Sequence, residues 1–214
     1  MPFGIFNTKP RMAASDEFIS EYDRNQGADL DMKAISDLQP VASPTPDEPV
    51  DNVSKAYNFL TGPEVEEISG GKIKPLSAAG ASGLIGSWQA ETGKMDLTGL
   101  DVIEEDARAG RGLSQYTGPR RDAYEEERSK AIAEGIDPNS WDFQKKYFVE
   151  EYLGKHDPAP GRSLIGYTNS LAELDGMDVN QATTHLTDDF FRPSKPHLQK
   201  RIKFANDIYN RFNP

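Results

Sequence analysis

Glu91 has the surroundings in this chain that best suit proton transfer. It lies in the run Leu84-Ile85-Gly86-Ser87-Trp88-Gln89-Ala90-Glu91-Thr92-Gly93. Leu84, Trp88 and Glu91 recur at i, i+4 and i+7, which puts them on one helical face. Thr92-Gly93 follows at once, and a glycine just past a periodic run stops a helix. Glu91 is therefore expected in a last helical turn, close to Trp88. The negative end of the helix dipole and a water-excluding indole both disfavour an ionised carboxylate. A carboxyl kept protonated near neutral pH is what a general acid for glycosidic cleavage requires. The plain alternative is an exposed helix-end glutamate, since most glutamates are solvated.

A second group follows an acidic stretch. Lys94 to Gly110 carries Asp96, Asp101, Glu104, Glu105 and Asp106, and Gly112-Leu113-Ser114-Gln115-Tyr116-Thr117-Gly118 comes directly after Arg111. The acidic stretch reads either as a solvated charge run or as the source of a second carboxylate. Such a group would position water or steady positive charge on a sugar ring. The residues alone do not choose which.

The strings GLIGSWQAETG, RGLSQYTGPRR and WDFQKKYFVEEYLG together resemble the phage tail lysozyme family, from about Ala56 to the C-terminus. The resemblance implies a lysozyme-like fold and a virion-associated peptidoglycan hydrolase. It implies Glu91 as the catalytic residue, from the small-Gly-hydrophobic-Gly helix followed by Glu-Thr-Gly. It also implies a cleft lined by Gln115, Tyr116 and Thr117. Trp88, beside the glutamate on the same helical face, is expected as a further substrate contact. Arg120 and Arg121 match the two basic residues that open the next helix. Arg108 and Arg111 depart from the Gly-Asp-Gly-Gly expected before the Gln motif, so the resemblance does not carry over the details of the sugar subsites.

The elements that must position these groups are mostly helical. Val53, Ala56, Tyr57 and Leu60 share a face, and Gly62-Pro63 stops that helix. Glu64 to Ile73 reads as a connection. Gly80, Gly83 and Gly86 recur at every third position of the central helix. Each costs about 1 kcal/mol in a helix interior, so close approach of another helix is expected there. Arg120 to Glu134 reads as a helix. Trp141 to Leu153 is another, capped from Asp137-Pro138-Asn139-Ser140, and its aromatic stripe reads as core. Ser163 to Leu174 and Val179 to Phe190 are expected helices, the latter capped by Asp178. Leu198 to Phe212 closes the chain with Ile202, Ala205, Ile208, Tyr209 and Phe212 inward. The fold class is mainly α: a lysozyme-like helical domain at 51–214 with a small β or loop element near 95–115.

Ahead of it, residues 1–39 read as an extended arm and 40–50 as a Pro-rich linker. The arm has two short apolar islands, at Phe3-Ile5-Phe6 and at Phe18-Ile19-Tyr22, too small to stand alone. Through residues 1–50 it would dock on other virion or tail proteins and order there, which implies a multi-subunit assembly.

Composition narrows the remaining classes. The chain has 214 residues, 36% of them hydrophobic, and a formal net charge of −11. That charge disfavours nucleic acid and anionic envelopes as partners. It fits a lytic enzyme carried to the wall by an assembly better than a free endolysin. There is no cysteine, hence no disulfide or thiolate metal site. His156, His185 and His197 lack metal-ligand spacing, so no metal or other cofactor is expected. No apolar run reaches membrane-span length, and the N-terminus lacks a signal-peptide core.

The leading expectation is a phage virion or tail enzyme that acts on the bacterial cell wall, as a muramidase or a lytic transglycosylase. The alternative from another class is a catalytically silent structural virion protein that keeps the lysozyme-like fold.

Overall fold

The computed structural model describes residues 51–103, 110–156, 171–191, 193 and 196–214, all within the unit Pro40–Pro214. The expected arm and linker, Glu104, Glu105, Asp106, Arg108 and residues 163–170 lie outside the described residues.

Seven α-helices are described: α1 (Asn52–Thr61), α2 (Glu64–Ile68), α3 (Ala78–Thr92), α4 (Pro119–Ala133), α5 (Trp141–Tyr152), α6 (Val179–His185) and α7 (Leu198–Phe212). The Asp51 side chain accepts the Ser54 N–H to start α1, and Ser77 does the same for Gly80 at the start of α3. Ser140 caps α5, and Asp178 with Gln181 forms a capping box at α6.

Helix α3 is the axis of the domain. Leu84, Ile85 and Trp88 are fully buried, as are Ser82, Ser87 and Gln89. A helix closed off on all sides needs apolar or small residues all round. The three glycines are where the neighbours come in. A Cβ on Gly83 would stand 3.2 Å from the Thr183 backbone nitrogen of α6, and one on Gly86 would stand 2.4 Å from the Ala205 nitrogen of α7. The single approaching helix expected from the spacing is thus two helices, each laid against a bare position one turn apart.

The rest of the core closes around α3. Trp88 packs edge-on against Trp141 and Phe148 of α5, with ring centroids at 6.1 and 5.1 Å. The aromatic stripe of α5 is core: Trp141, Phe148 and Tyr152 are all buried. Helix α7 returns to the start of the domain, where Arg211 pairs with the capping Asp51 at 2.6 Å and Phe212 stacks on Tyr57 at 4.1 Å.

Three expectations need correction. Glu64 to Ile73 is not all connection, because α2 forms behind Pro63. Glu64, Glu66 and Glu67 sit in its first turn, where acidic groups suit the dipole, and Val65 is buried. The helix capped by Asp178 changes to a π-helix over Leu186–Phe191, which still buries Phe190 and Phe191. The inward face of α7 runs through Arg201, Phe204, Ala205 and Ile208, whereas Ile202 is only half-buried. Near 95–115, no strand is present among the described residues. Ile103, Arg111 and Tyr116 form isolated antiparallel bridges.

Candidate functional site

Helix α3 ends as its sequence requires. Gly93 takes the left-handed conformation at φ 66° and its N–H returns to the Gln89 carbonyl. The Thr92 hydroxyl donates to the Trp88 carbonyl at 2.8 Å. Glu91 thus projects from a rigid last turn, with its side chain 15% exposed.

Its partner is Arg201, from the first turns of α7. Arg201 Nη2 donates to Glu91 Oε1 at 2.6 Å. The other guanidinium nitrogens are held as well: Nε donates to the Pro196 carbonyl at 2.8 Å, and Nη1 points at the Ser87 carbonyl at 3.4 Å. The Phe191 ring lies 5.2 Å from the guanidinium carbon. Among the described residues, no further hydrogen bond reaches the Glu91 carboxylate, so Oε2 is left open. Lys200 is half-buried beside this pair, its ammonium 5.5 Å from the Phe204 ring. Burial lowers its pKa, the neighbouring Arg201 charge lowers it further, and Glu91 pulls the other way.

Sequence reasoning did not find Arg201, although a signal was present. Arg201, Phe204, Ala205 and Ile208 sit at i, i+3, i+4 and i+7, so an arginine occupies the apolar face of a closing helix. A buried guanidinium needs acceptors for its N–H groups, and Glu91 Oε1 supplies one beside the Pro196 and Ser87 carbonyls.

Trp88 is turned inward. Its indole is fully buried and its Nε1 donates to Ser114 Oγ at 3.2 Å. Where the sequence placed an indole beside the carboxyl, the structure puts a guanidinium against it and uses the indole to tie α3 to the Gln-Tyr-Thr segment.

That segment is a tight turn. Arg111 and Tyr116 exchange backbone hydrogen bonds at 3.2 and 2.9 Å, and Gln115 sits at the strained φ of 45°. The Gln115 side chain folds back, with Nε2 donating to the Gly112 carbonyl at 3.0 Å. Tyr116 is fully buried, stacked on Tyr124 at 5.2 Å and edge-on to Tyr147 at 5.0 Å. Arg120 stands 5.1 Å above its ring and pairs with Glu151 at 2.5 Å. The turn is pinned to α5 by Gln144, whose Oε1 accepts the Leu113 N–H at 3.0 Å and whose Nε2 donates to Tyr124 Oη at 2.7 Å. Of the four side chains expected to touch substrate, only Thr117 is exposed, while Trp88, Gln115 and Tyr116 are buried. Buried rings and amides offer a sugar no surface in this conformation. They shape the turn that presents Thr117.

The described acidic residues have structural occupations. Asp101, with a side chain 5% exposed, accepts from Arg111 Nε at 2.7 Å and from Arg128 Nε at 2.6 Å. It also accepts from Arg111 Nη2 at 2.8 Å and from Tyr124 Oη at 3.0 Å. The departure at Arg111 is thereby explained: it is the fork that clamps Asp101. Asp96 accepts the Thr98 N–H at 3.1 Å in a local turn. His156 pairs with Glu150 at 3.2 Å and His185 with Asp189 at 3.1 Å. Among the described residues, no cluster of three or more His, Asp or Glu is placed to hold a metal. Nor is any helix there long and apolar enough to cross a membrane.

The family model described as phage tail lysozyme matches residues 72–212. That span starts at Lys72, later than the Ala56 suggested by the motifs, and contains α3, Glu91, the Gln-Tyr-Thr turn and Arg201. No curated protein matches the chain, and no solved structure does.

Proposed function

Because the chain belongs to the phage tail lysozyme family, we propose that it is a phage peptidoglycan-degrading enzyme, carried in the tail, that opens the bacterial wall locally during infection. Its substrate is the β-1,4 link between N-acetylmuramic acid and N-acetylglucosamine. The observation that carries this reading is Glu91: a carboxyl on a rigid helix end, partly open to solvent, with one oxygen held and the other free. Glu91 gives its proton to the leaving glycosidic oxygen as the bond to the sugar carbon breaks. Thr117 is the exposed contact for the glycan, and Trp88, Gln115 and Tyr116 support it from behind.

Among the described residues, Asp101 is held on both oxygens by Arg111 and Arg128, while Asp96 spends one oxygen on Thr98; Glu104, Glu105 and Asp106 lie outside the described residues. Water and the muramyl hydroxyl are both nucleophiles open to this site, with Glu91 as the base that accepts the proton. Residues 1–50 bind neighbouring tail proteins in this reading, and the charge of −11 suits delivery by an assembly.

The test is clearing of purified peptidoglycan by wild type and Glu91→Gln. The variant keeps the fold and loses activity by roughly 10²- to 10⁴-fold, the usual contribution of a general acid. Undiminished clearing removes Glu91 from the mechanism. The second reading, a silent structural tail subunit, draws on the Glu91–Arg201 pair as a packing device. Wild-type protein that is folded, abundant in the virion and inert on peptidoglycan supports that reading instead.

A further inference from the structure

Arg201 is anchored beyond what tying two helices together needs. Its side chain is 3% exposed. Nε is fixed to the backbone of its own approach segment at Pro196, and Nη1 to the α3 backbone at Ser87. With the fork held at those points and flanked by the Phe191 ring, Nη2 has one direction left, and Glu91 Oε1 lies 2.6 Å along it. An ion pair serving only to pack α7 on α3 is replaceable by apolar side chains of similar volume. A guanidinium fixed at two other points and aimed at one oxygen of a carboxylate does something apolar packing cannot: it selects which oxygen faces outward.

We propose that Arg201 is a positioning residue for Glu91, holding Oε1 so that Oε2 is the oxygen that carries the proton to and from the glycan. This rests on the reading of Glu91 as the acid. As the proton passes from Oε2 to the glycosidic oxygen, the sugar carbon–oxygen bond breaks and its electron pair stays on the departing oxygen. The carboxylate left behind gains its full charge facing the Arg201 guanidinium. The pair is therefore stronger after proton transfer begins than before, which is the condition for accelerating the step. The carboxylate next takes a proton from the attacking hydroxyl, and the cycle closes. Lys200, the second cation facing Glu91 from α7, adds to the positive surroundings without occupying Oε1.

The experiment compares Arg201→Gln, Arg201→Lys and Glu91→Gln with wild type, measuring kcat and KM on purified peptidoglycan and checking the fold by circular dichroism. Arg201→Gln is expected to lower kcat roughly 10²-fold with little change in KM, as for loss of one oriented transition-state partner. Arg201→Lys keeps the charge but cannot bond Pro196, Ser87 and Glu91 together, so its kcat also remains below wild type with KM little changed. A folded Arg201→Gln with wild-type kcat, or one whose loss lies in KM alone, overturns the proposal. Should Arg201→Gln not fold, Arg201→Lys decides, and a wild-type kcat there overturns it equally. Activity surviving in Glu91→Gln marks failure of the Glu91 reading itself. Inactivity of Glu91→Gln alongside fully active Arg201 variants marks failure of this inference alone.

Discussion

Asp101 and Asp96 lie five residues apart in one acidic stretch and have different fates. Asp101 gathers two arginines and a tyrosine hydroxyl inside the fold, whereas Asp96 turns a surface loop on itself. Removing one partner from a buried ionic cluster strands the others, so Asp101→Ala is expected to cost about 3–5 kcal/mol. Asp96→Ala should stay within about 0.5 kcal/mol, as exposed substitutions do. Urea midpoints of the two variants check the contrast, and equal shifts would contradict it. The sequence could rank neither residue, because both are acidic groups in a polar run. Glu91 was legible because Trp88, Thr92 and Gly93 fix its place in a last turn. Its partner was not, since the pair joins residues 110 positions apart and no local pattern connects them.

At the scale of elements, the glycines of α3 were readable and their cause was only half readable. A three-residue glycine spacing in a helix announces close approach but not by what, and here α6 and α7 each claim one position. Gly86→Ala gives the sharpest test. On an exposed helix this change gains about 1 kcal/mol in propensity. Here the new methyl would meet the Ala205 backbone at 2.4 and 2.8 Å, and backbone cannot swing aside as a side chain can. The expected outcome is a loss of about 1–3 kcal/mol, typical of overpacking, read from thermal or denaturant melting. A neutral or stabilising result would mean that α7 is not seated on α3 as described. The helix α2 and the π-helical turn at Leu186–Phe191 escaped sequence reading for a related reason. A five-residue helix and a one-residue change of helical register leave no periodic signature long enough to register.

For the whole molecule, the aromatic cluster behind the Gln-Tyr-Thr turn sets the alkaline limit. Burial raises the Tyr116, Tyr124 and Tyr147 phenols above their ordinary value, with the nearby Glu151 charge adding to Tyr116 and Tyr147 and Asp101 adding to Tyr124. In the unfolded chain these phenols titrate near 10. Above that pH the unfolded state releases protons that the native state keeps, so the stability they contribute is fully present below about pH 10 and lost as pH rises further. Unfolding above that pH should coincide with the part of the tyrosinate absorbance that Phe substitutions at Tyr116, Tyr124 and Tyr147 remove. That same part appearing in a still-folded protein would place the cluster in contact with water, contrary to its burial. The mainly helical architecture was legible from caps, stops and periodicity, and the family from three motifs in order. The burial of Tyr116 and Gln115 was not, because the same residues serve equally well as a cleft wall or as the support behind one.

The most direct test of the account is mass spectrometry of the muropeptides released from purified peptidoglycan by wild type and by a folded Glu91→Gln. The account predicts new reducing or anhydro-muramyl ends with wild type and their disappearance in the variant. The type of end identifies water or the muramyl hydroxyl as the nucleophile. The same ends released at the same rate by the variant, or no ends from either folded protein, would contradict it.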